Sequence, residues 1–397
     1  MSVNENLEQA RSVALRLRGE GCEAWLVGGC VRDLLLGREP KDCDVCTSAH
    51  PDRIRALFPG SLLVGAHFGV VIVKHGEVAV EVATFRSDGV YSDGRRPDRV
   101  VFETNVLKDL MRRDFTINAL LMDPETSEIH DLVSGLADLE AGLIRAIGNA
   151  RERFREDHLR MLRAVRFAAR FGFAIERETW DAIREERESI GRISVERVRG
   201  ELSRILTDGG AAAGMRMLRD LGLLALILPE AGPLDVLGRL RSPGFELALA
   251  SVLLEAGENA RPCVERLRLS YDAAERVVVF IANHSMFSTV GSMSMSRLKR
   301  FLRMKDFDRQ LELYRAAVRG DERYEHVRNL RESMTEEMLW PRRLLSGDDL
   351  KALGVPAGPG FARLLTQIEN AQMEETIDTR AEAEAMVRAT ILGESST

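Results

Sequence analysis

Strand-like and helix-like patterns occupy different parts of this chain, and that division constrains its fold more than any other feature. Short β-branched runs broken by glycine, at Ala24–Val27, Asp42–Cys46, Val70–Lys74 and Val78–Thr84, read as strands. Residues 7–18, with Leu7, Val13, Ala14 and Leu17 on one side, read as an amphipathic helix, and residues 31–36 and 51–58 as shorter ones. Residues 86–100 are polar, carry two glycines and a proline, and read as a long loop of the kind that usually serves function. From about residue 105 strand signals mostly vanish. Residues 151–190, 194–207, 211–222, 244–256, 261–268, 271–282, 296–318 and 360–370 carry helical spacing. The expected class is α+β, a small mixed head followed by an all-helical remainder. With 397 residues the chain exceeds one ordinary core. The expected divisions are a head over 1–140, a helical neck over 141–207, a body over 208–335 and a tail over 336–397.

Charge narrows the partners. The net charge of −6 excludes a polycation, so nucleic-acid contact requires a local basic surface. Residues 151–204 hold fourteen arginines against eleven acidic residues, whereas 365–397 hold two basic residues against seven acidic ones. The first segment is the better candidate for RNA. Five irregularly spaced cysteines give no disulfide framework, and Cys43-x-x-Cys46 lacks the second pair of a zinc site. With no apolar run long enough for a bilayer and no signal-peptide core, a reducing cytoplasm is the expectation.

The most suggestive local chemistry is in the head. Leu26-Val-Gly-Gly-Cys-Val-Arg-Asp33 puts Gly28 and Gly29 after a strand and before a helix. Glycines let the backbone approach a phosphate, the helix start presents free N–H groups, and Arg32 adds charge. A glycine pair alone is equally a tight turn. Asp42-Cys43-Asp44 follows, and on a strand residues i and i+2 share a face. Two hard carboxylates there suit Mg²⁺. A lone Asp-x-Asp is more often solvated surface, but the glycine turn ahead of it weakens that reading. Glu81, on a later strand, is either a third ligand or a structural hydrogen-bond partner.

GGCVRDLLLG followed by DCDVCTSA resembles the head of the polymerase-β-like nucleotidyltransferases, and more narrowly the bacterial tRNA nucleotidyltransferase and poly(A) polymerase family, class II. The resemblance continues through Arg112-Arg113-Asp114 in LMRRDFTINAL and through Glu156-Asp157-His158-Leu159-Arg160, and weakens toward LLSGDDLKALGVPAGP. It implies template-independent addition or repair of the tRNA 3′ CCA from CTP and ATP, with pyrophosphate released. It implies two Mg²⁺ ions on Asp42 and Asp44 as the catalytic pair, and the tRNA acceptor arm as partner, with no DNA and no membrane. By the same resemblance Gly28, Gly29 and Arg32 hold the triphosphate, Arg113 meets the nucleotide, Asp114 lies near the ribose, and Arg163 and Arg166 line the site or brace it.

Asp157 and Arg160 carry the base choice that the resemblance implies. Three residues apart on one helix over 155–171, they would be neighbours. Asp accepts hydrogen bonds and Arg donates them. Cytosine and adenine each offer an amino donor beside an acceptor, and uracil and guanine invert that order. Each mismatch would leave polar groups unpaired at about 1–3 kcal/mol. Successive steps of three drift around the helix, so Arg163 and Arg166 cannot reach the same base edge.

Other stretches refine the expectation. Loop 86–100, with Tyr91, Asp93, Arg95 and Arg96, matches the family's flexible loop and speaks against an enzyme adding only C. Val64-Gly-Ala-His-Phe-Gly69 lacks the basic pair typical of the family's poly(A) polymerases. Residues 244–257 resemble an HD-type hydrolase module in which Leu254-Glu255 replaces the His-Asp pair, so no phosphohydrolase activity is expected and His284 is structural. His158 has no assigned role, and the simplest reading of Arg112 is a surface ion pair. The alternatives are an enzyme adding only the terminal A, a poly(A) polymerase, or a catalytically silent RNA-binding module.

Overall fold

The computed structural model describes residues 3–64, 69–75, 78–89, 91, 94, 97, 99–320, 322–356, 358 and 360–394. Asp93, Arg95 and Arg96 of the long loop, and residues 65–68 of the stretch compared with poly(A) polymerases, lie outside the described residues. The chain divides into two compact units, one of Met1–Leu234 with Pro262–Leu269, the other of Asp235–Arg261 with Ser270–Thr397.

The first unit opens with helix α1 (Val3–Gly19), which buries Ala10, Val13, Ala14 and Leu17 against the sheet and leaves Leu7 half-buried. Strands β1 (Ala24–Val27), β2 (Asp44–Thr47), β3 (Leu62–Val64), β4 (Val70–His75) and β5 (Val78–Thr84) follow, with α2 (Gly29–Leu35) and α3 (Pro51–Leu57) between them. Past β6 (Arg86–Asp88), β7 (Val100–Phe102) and α4 (Val106–Met111), strands β8 (Leu121–Met122) and β9 (Ile129–His130) complete a seven-stranded sheet. Its order is β3-β4-β5-β2-β1-β8-β9, mixed because β2 and β5 run parallel. Only two residues each, β8 and β9 are too short to show a period of two in sequence. Loop 86–100 also gains structure at its ends, since β6 and β7 pair antiparallel.

The centre of the sheet carries the unbroken apolar pattern. Leu26, Val27, Val45, Cys46, Val80 and Val82 are all at most 1% exposed. In the antiparallel β1–β2 pair, Val27 faces Asp44.

Residues 151–190 are not continuous helix. Helix α5 (Gly135–Ala141) and β10 (Leu143–Ile144) lead to α6 (Ala150–Glu156), α7 (Arg160–Phe171), β11 (Ala174–Ile175) and α8 (Arg177–Glu186). The expected helix over 155–171 therefore breaks at Asp157, which is extended at φ −138°, ψ 101°. Asp157 and Arg160 are not neighbours on one helix face. Helix α9 (Val195–Thr207) packs on α7.

The second unit is helical among its described residues, with Phe287, Phe301, Phe307 and Tyr314 at its aromatic centre. The expected helix over 296–318 is two, Met295–Leu302 and Phe307–Val318, separated where Asp306 adopts φ +57°. His284 ends the helix Tyr271–His284 and packs beside Tyr314, with ring centroids 5.7 Å apart. Burial pushes its pKa down, as suits a structural imidazole.

Candidate nucleotide and metal site

The loop between β1 and α2 begins the site. Gly28 sits at φ +81°, ψ −134°, where a side chain is strongly disfavoured, and its N–H donates to the Leu120 carbonyl at 3.3 Å. Because Val27 pairs with Asp44, the glycine turn emerges directly beside the start of β2. Asp42 is exposed, Cys43 buried and Asp44 half-buried, so the extended alternation puts both carboxylates on one side even though β2 itself starts at Asp44. Burial raises the Asp44 pKa to about 6, with the charges of Glu81 and Asp42 adding to it and Arg113 opposing. Glu81 is exposed on β5 and acts on Asp44 by its charge.

A cavity of about 600 Å³ opens over this corner. Its lining includes Gly28, Gly29, Arg32, Asp42, Asp44, Arg113, Asp114, Asp157, Arg160, Arg163 and Arg166, all expected from the sequence, but not Glu81, the possible third ligand. Arg112, Asn118, Phe167 and Arg204 join them. Seven arginines against four aspartates make a wall suited to a polyanion.

The individual groups are more constrained than their spacing suggested. Arg32 is 3% exposed, donates from Nε and Nη2 to Asp33 at 2.8 and 2.6 Å, and also bonds Asn118. Its guanidinium lies over Phe171 at 4.7 Å and Phe167 at 5.2 Å. Its reach toward a phosphate is thus mainly through charge. Asp114 accepts from the Phe115 N–H at 2.8 Å and Asn118 at 3.0 Å on one oxygen, and from Arg163 at 2.9 and 2.6 Å on the other. Burial alone would raise its pKa, but Arg163 and Asn118 hold it far below the usual carboxylate range.

Asp157 accepts Arg197 on both oxygens at 3.1 Å and the Leu159 N–H at 3.1 Å. Arg160 donates through Nη1 to Glu156 at 2.8 Å and the Arg153 carbonyl at 3.1 Å, and through Nη2 to the Arg112 carbonyl at 2.7 Å. Arg166 pairs with buried Glu201 at 2.7 Å and stacks over Phe167 at 4.2 Å. Arg160, Arg163 and Arg166 of α7 thus end on three different anchors.

Sequence reasoning passed over several members of the site. Asn118 links Arg32 to Asp114. Phe167, read as core, carries three guanidinium groups on its ring. Arg112 forms an ion pair as expected, but its partner Asp109 is buried. Asp109 stands three and four residues ahead of Arg112 and Arg113, a spacing that could have flagged it.

Among the described residues, no three His, Cys, Asp or Glu side chains are gathered to hold a metal by themselves. Two carboxylates still fit Mg²⁺, which keeps waters and binds substrate phosphates rather than filling an all-protein cage.

Residues 24–145 match the family model described as the Poly A polymerase head domain, and residues 172–233 match "Probable RNA and SrmB- binding site of polymerase A". A CCA-adding enzyme of Geobacillus kaustophilus is 44% identical over 230 residues, a stretch covering 58% of this chain and 57% of that relative's length. One of Lactobacillus gasseri is 34% identical over 393 residues, covering 96% of this chain and 97% of that one. The crystal structure of the Bacillus stearothermophilus CCA-adding enzyme in complex with CTP superposes with a TM-score of 0.81 at 30% identity, covering 98% of this chain and 99% of that one. With that similarity running nearly end to end, this chain belongs to the CCA-adding enzyme family.

Proposed function

We propose that this chain adds or repairs the 3′-terminal CCA of tRNA, using CTP and ATP and releasing pyrophosphate. The observation that carries the reading is the single cavity that gathers the glycine turn, the Asp42–Asp44 pair and the arginines of α7. The relatives just described bear the same name, and one of them is solved with CTP.

The tRNA 3′-hydroxyl attacks the nucleotide α-phosphorus, its proton is lost, and the bond to pyrophosphate breaks. Asp42 and Asp44 would hold Mg²⁺, and a pair of such ions would supply activation of the hydroxyl and neutralisation of charge on the leaving group. The Gly28–Gly29 backbone admits the triphosphate at close range, and Arg32 and Arg113 offset its charge. Asp114, held by Arg163 and Asn118, is the residue assigned to the ribose.

Asp157 and Arg160 read the base, by a route different from two neighbours on a helix. Asp157 keeps an Oδ2 lone pair beyond those Arg197 and the Leu159 N–H occupy, and Arg160 keeps its Nε and a second Nη2 hydrogen. The acceptor arm is gripped through phosphates, so its binding weakens with salt. A reducing compartment, as in cytoplasm, suits five cysteines that are all free thiols, and no described helix is long and apolar enough to cross a membrane.

The test is incorporation of each labelled nucleotide into tRNAs ending in the discriminator base, C, CC or CCA, with and without Mg²⁺. Completion of every end to CCA and no further is the expected result. Addition of A to CC ends alone, or long A tails on any RNA, overturns it.

A further inference from the structure

Arg112 and Arg113 are consecutive, both reach the nucleotide cavity, and both end on one carboxylate. Asp109 in α4 is completely buried, and its two oxygens are divided between them. Arg112 donates from Nε and Nη2 to Oδ1 at 2.9 and 2.6 Å, and Arg113 from Nε and Nη2 to Oδ2 at 3.3 and 3.0 Å. The Arg86 backbone N–H adds a bond to Oδ1 at 3.3 Å, tying in the start of β6. A guanidinium gripped along its Nε–Nη2 edge cannot swivel, so its remaining Nη points in a fixed direction. For Arg113 that Nη1 lies 3.4 Å from where a Cβ on Gly28 would stand. Arg112 is fixed at its backbone as well, by Arg160 Nη2 on its carbonyl at 2.7 Å. Burial would raise the Asp109 pKa, but the two guanidinium charges outweigh it and keep it low, so the clamp stays ionised near neutral pH.

We propose that Asp109 is a positioning residue of the nucleotide site, setting the direction of Arg112 and Arg113 so that they meet the phosphates of a nucleoside triphosphate beside Gly28. The proposal rests on the nucleotidyl-transfer function proposed for this chain. Asp109 lies behind the arginines and touches no substrate; it acts through them. A buried ion triad that served stability alone would affect melting and leave nucleotide affinity untouched.

The experiment compares the full-length wild type, Asp109→Asn, the Arg112→Ala/Arg113→Ala double variant and the triple variant, by calorimetric titration with CTP, steady-state addition kinetics and thermal melting. Asp109→Asn is expected to weaken CTP binding and raise KM about tenfold with kcat nearly unchanged, a loss of ground-state binding. In the double-arginine background the same change is expected to have almost no effect, because coupled residues are not additive. CTP affinity unaltered by Asp109→Asn, or a loss of the same size in both backgrounds, overturns the proposal. If Asp109→Asn does not fold, Arg112→Lys/Arg113→Lys keeps the charges without the planar fork. It is expected to show the same loss of CTP affinity, and unchanged affinity overturns the proposal. A wild type that binds CTP but transfers nothing sinks the CCA-adding reading while leaving the binding comparison intact. A wild type that binds no CTP sinks both.

Discussion

Val27 and Asp44 stand opposite each other in the antiparallel β1–β2 pair. This register sets the glycine turn that leaves β1 against the carboxylate that enters β2, and so joins the two halves of the candidate site, the glycine turn and the paired aspartates. A slip of one residue would turn Asp44 to the other face of the sheet. The buried apolar residues on both strands prevent that slip.

Asp42→Asn and Asp44→Asn should each reduce nucleotide addition by at least about 10³-fold, on the scale expected when an electrostatic element of the transition state is lost. The circular dichroism of both should match the wild type. Mg²⁺ with CTP should raise the melting temperature of the wild type and fail to do so for the double variant. A single variant that keeps most of its turnover contradicts the assignment.

Asp157→Ala should blur base choice. Losing one buried hydrogen-bonding partner is worth about 1–3 kcal/mol, so the preference for CTP over UTP should fall by about ten- to a hundredfold. Competition assays with labelled CTP and UTP read this directly. An unchanged ratio removes Asp157 from base selection.

Gly28→Ala and Gly29→Ala should part company. At φ +81°, ψ −134° an alanine is strained by about 1–3 kcal/mol, whatever space its Cβ finds. Gly29 begins α2, and a Cβ there meets only Arg32 Nη2 at 3.5 Å. Gly28→Ala should therefore lower both stability and addition rate, and Gly29→Ala should leave melting close to wild type. Chemical denaturation and kinetics of the pair would check this.

Asp114→Asn should destabilise the protein by about 3 kcal/mol at neutral pH, the lower end for breaking a buried pair because Arg163 is 30% exposed. The folded pKa of Asp114 is depressed, so its contribution is present above the unfolded value near 4 and is lost as pH falls toward the folded one. The difference between wild type and variant should stay constant from about pH 7 to 5 and narrow below about pH 4. Urea denaturation across that range measures it, and a gap that widens in acid contradicts the pairing.

Gly28, Gly29, Arg32, Asp42, Asp44, Arg113, Asp114, Asp157, Arg160, Arg163 and Arg166, all marked from the sequence, line one cavity, whereas Glu81 does not. They could be marked because the chemistry needs residue types that are rare in combination. Glycines that leave a strand, paired aspartates and arginines at helical spacing announce themselves at short range. The central strands were equally legible, since a buried sheet demands β-branched residues at positions that can be read off in order. The break at Asp157 was not. Residues 151–171 have good helical spacing, and the interruption comes from tertiary contacts, with Asp157 held by Arg197 from α9 and Arg160 held by the Arg112 carbonyl. Nor could the sequence show that Arg160, Arg163 and Arg166 would be shared among Arg112, Asp114 and Glu201. Local composition was enough to mark the residue types of the candidate site and the four strands β1, β2, β4 and β5, but not β3, β8 and β9, which are too short to carry a pattern. Which carboxylate holds which arginine was settled by packing, because a guanidinium chooses among partners that are distant in the chain and brought together in the fold.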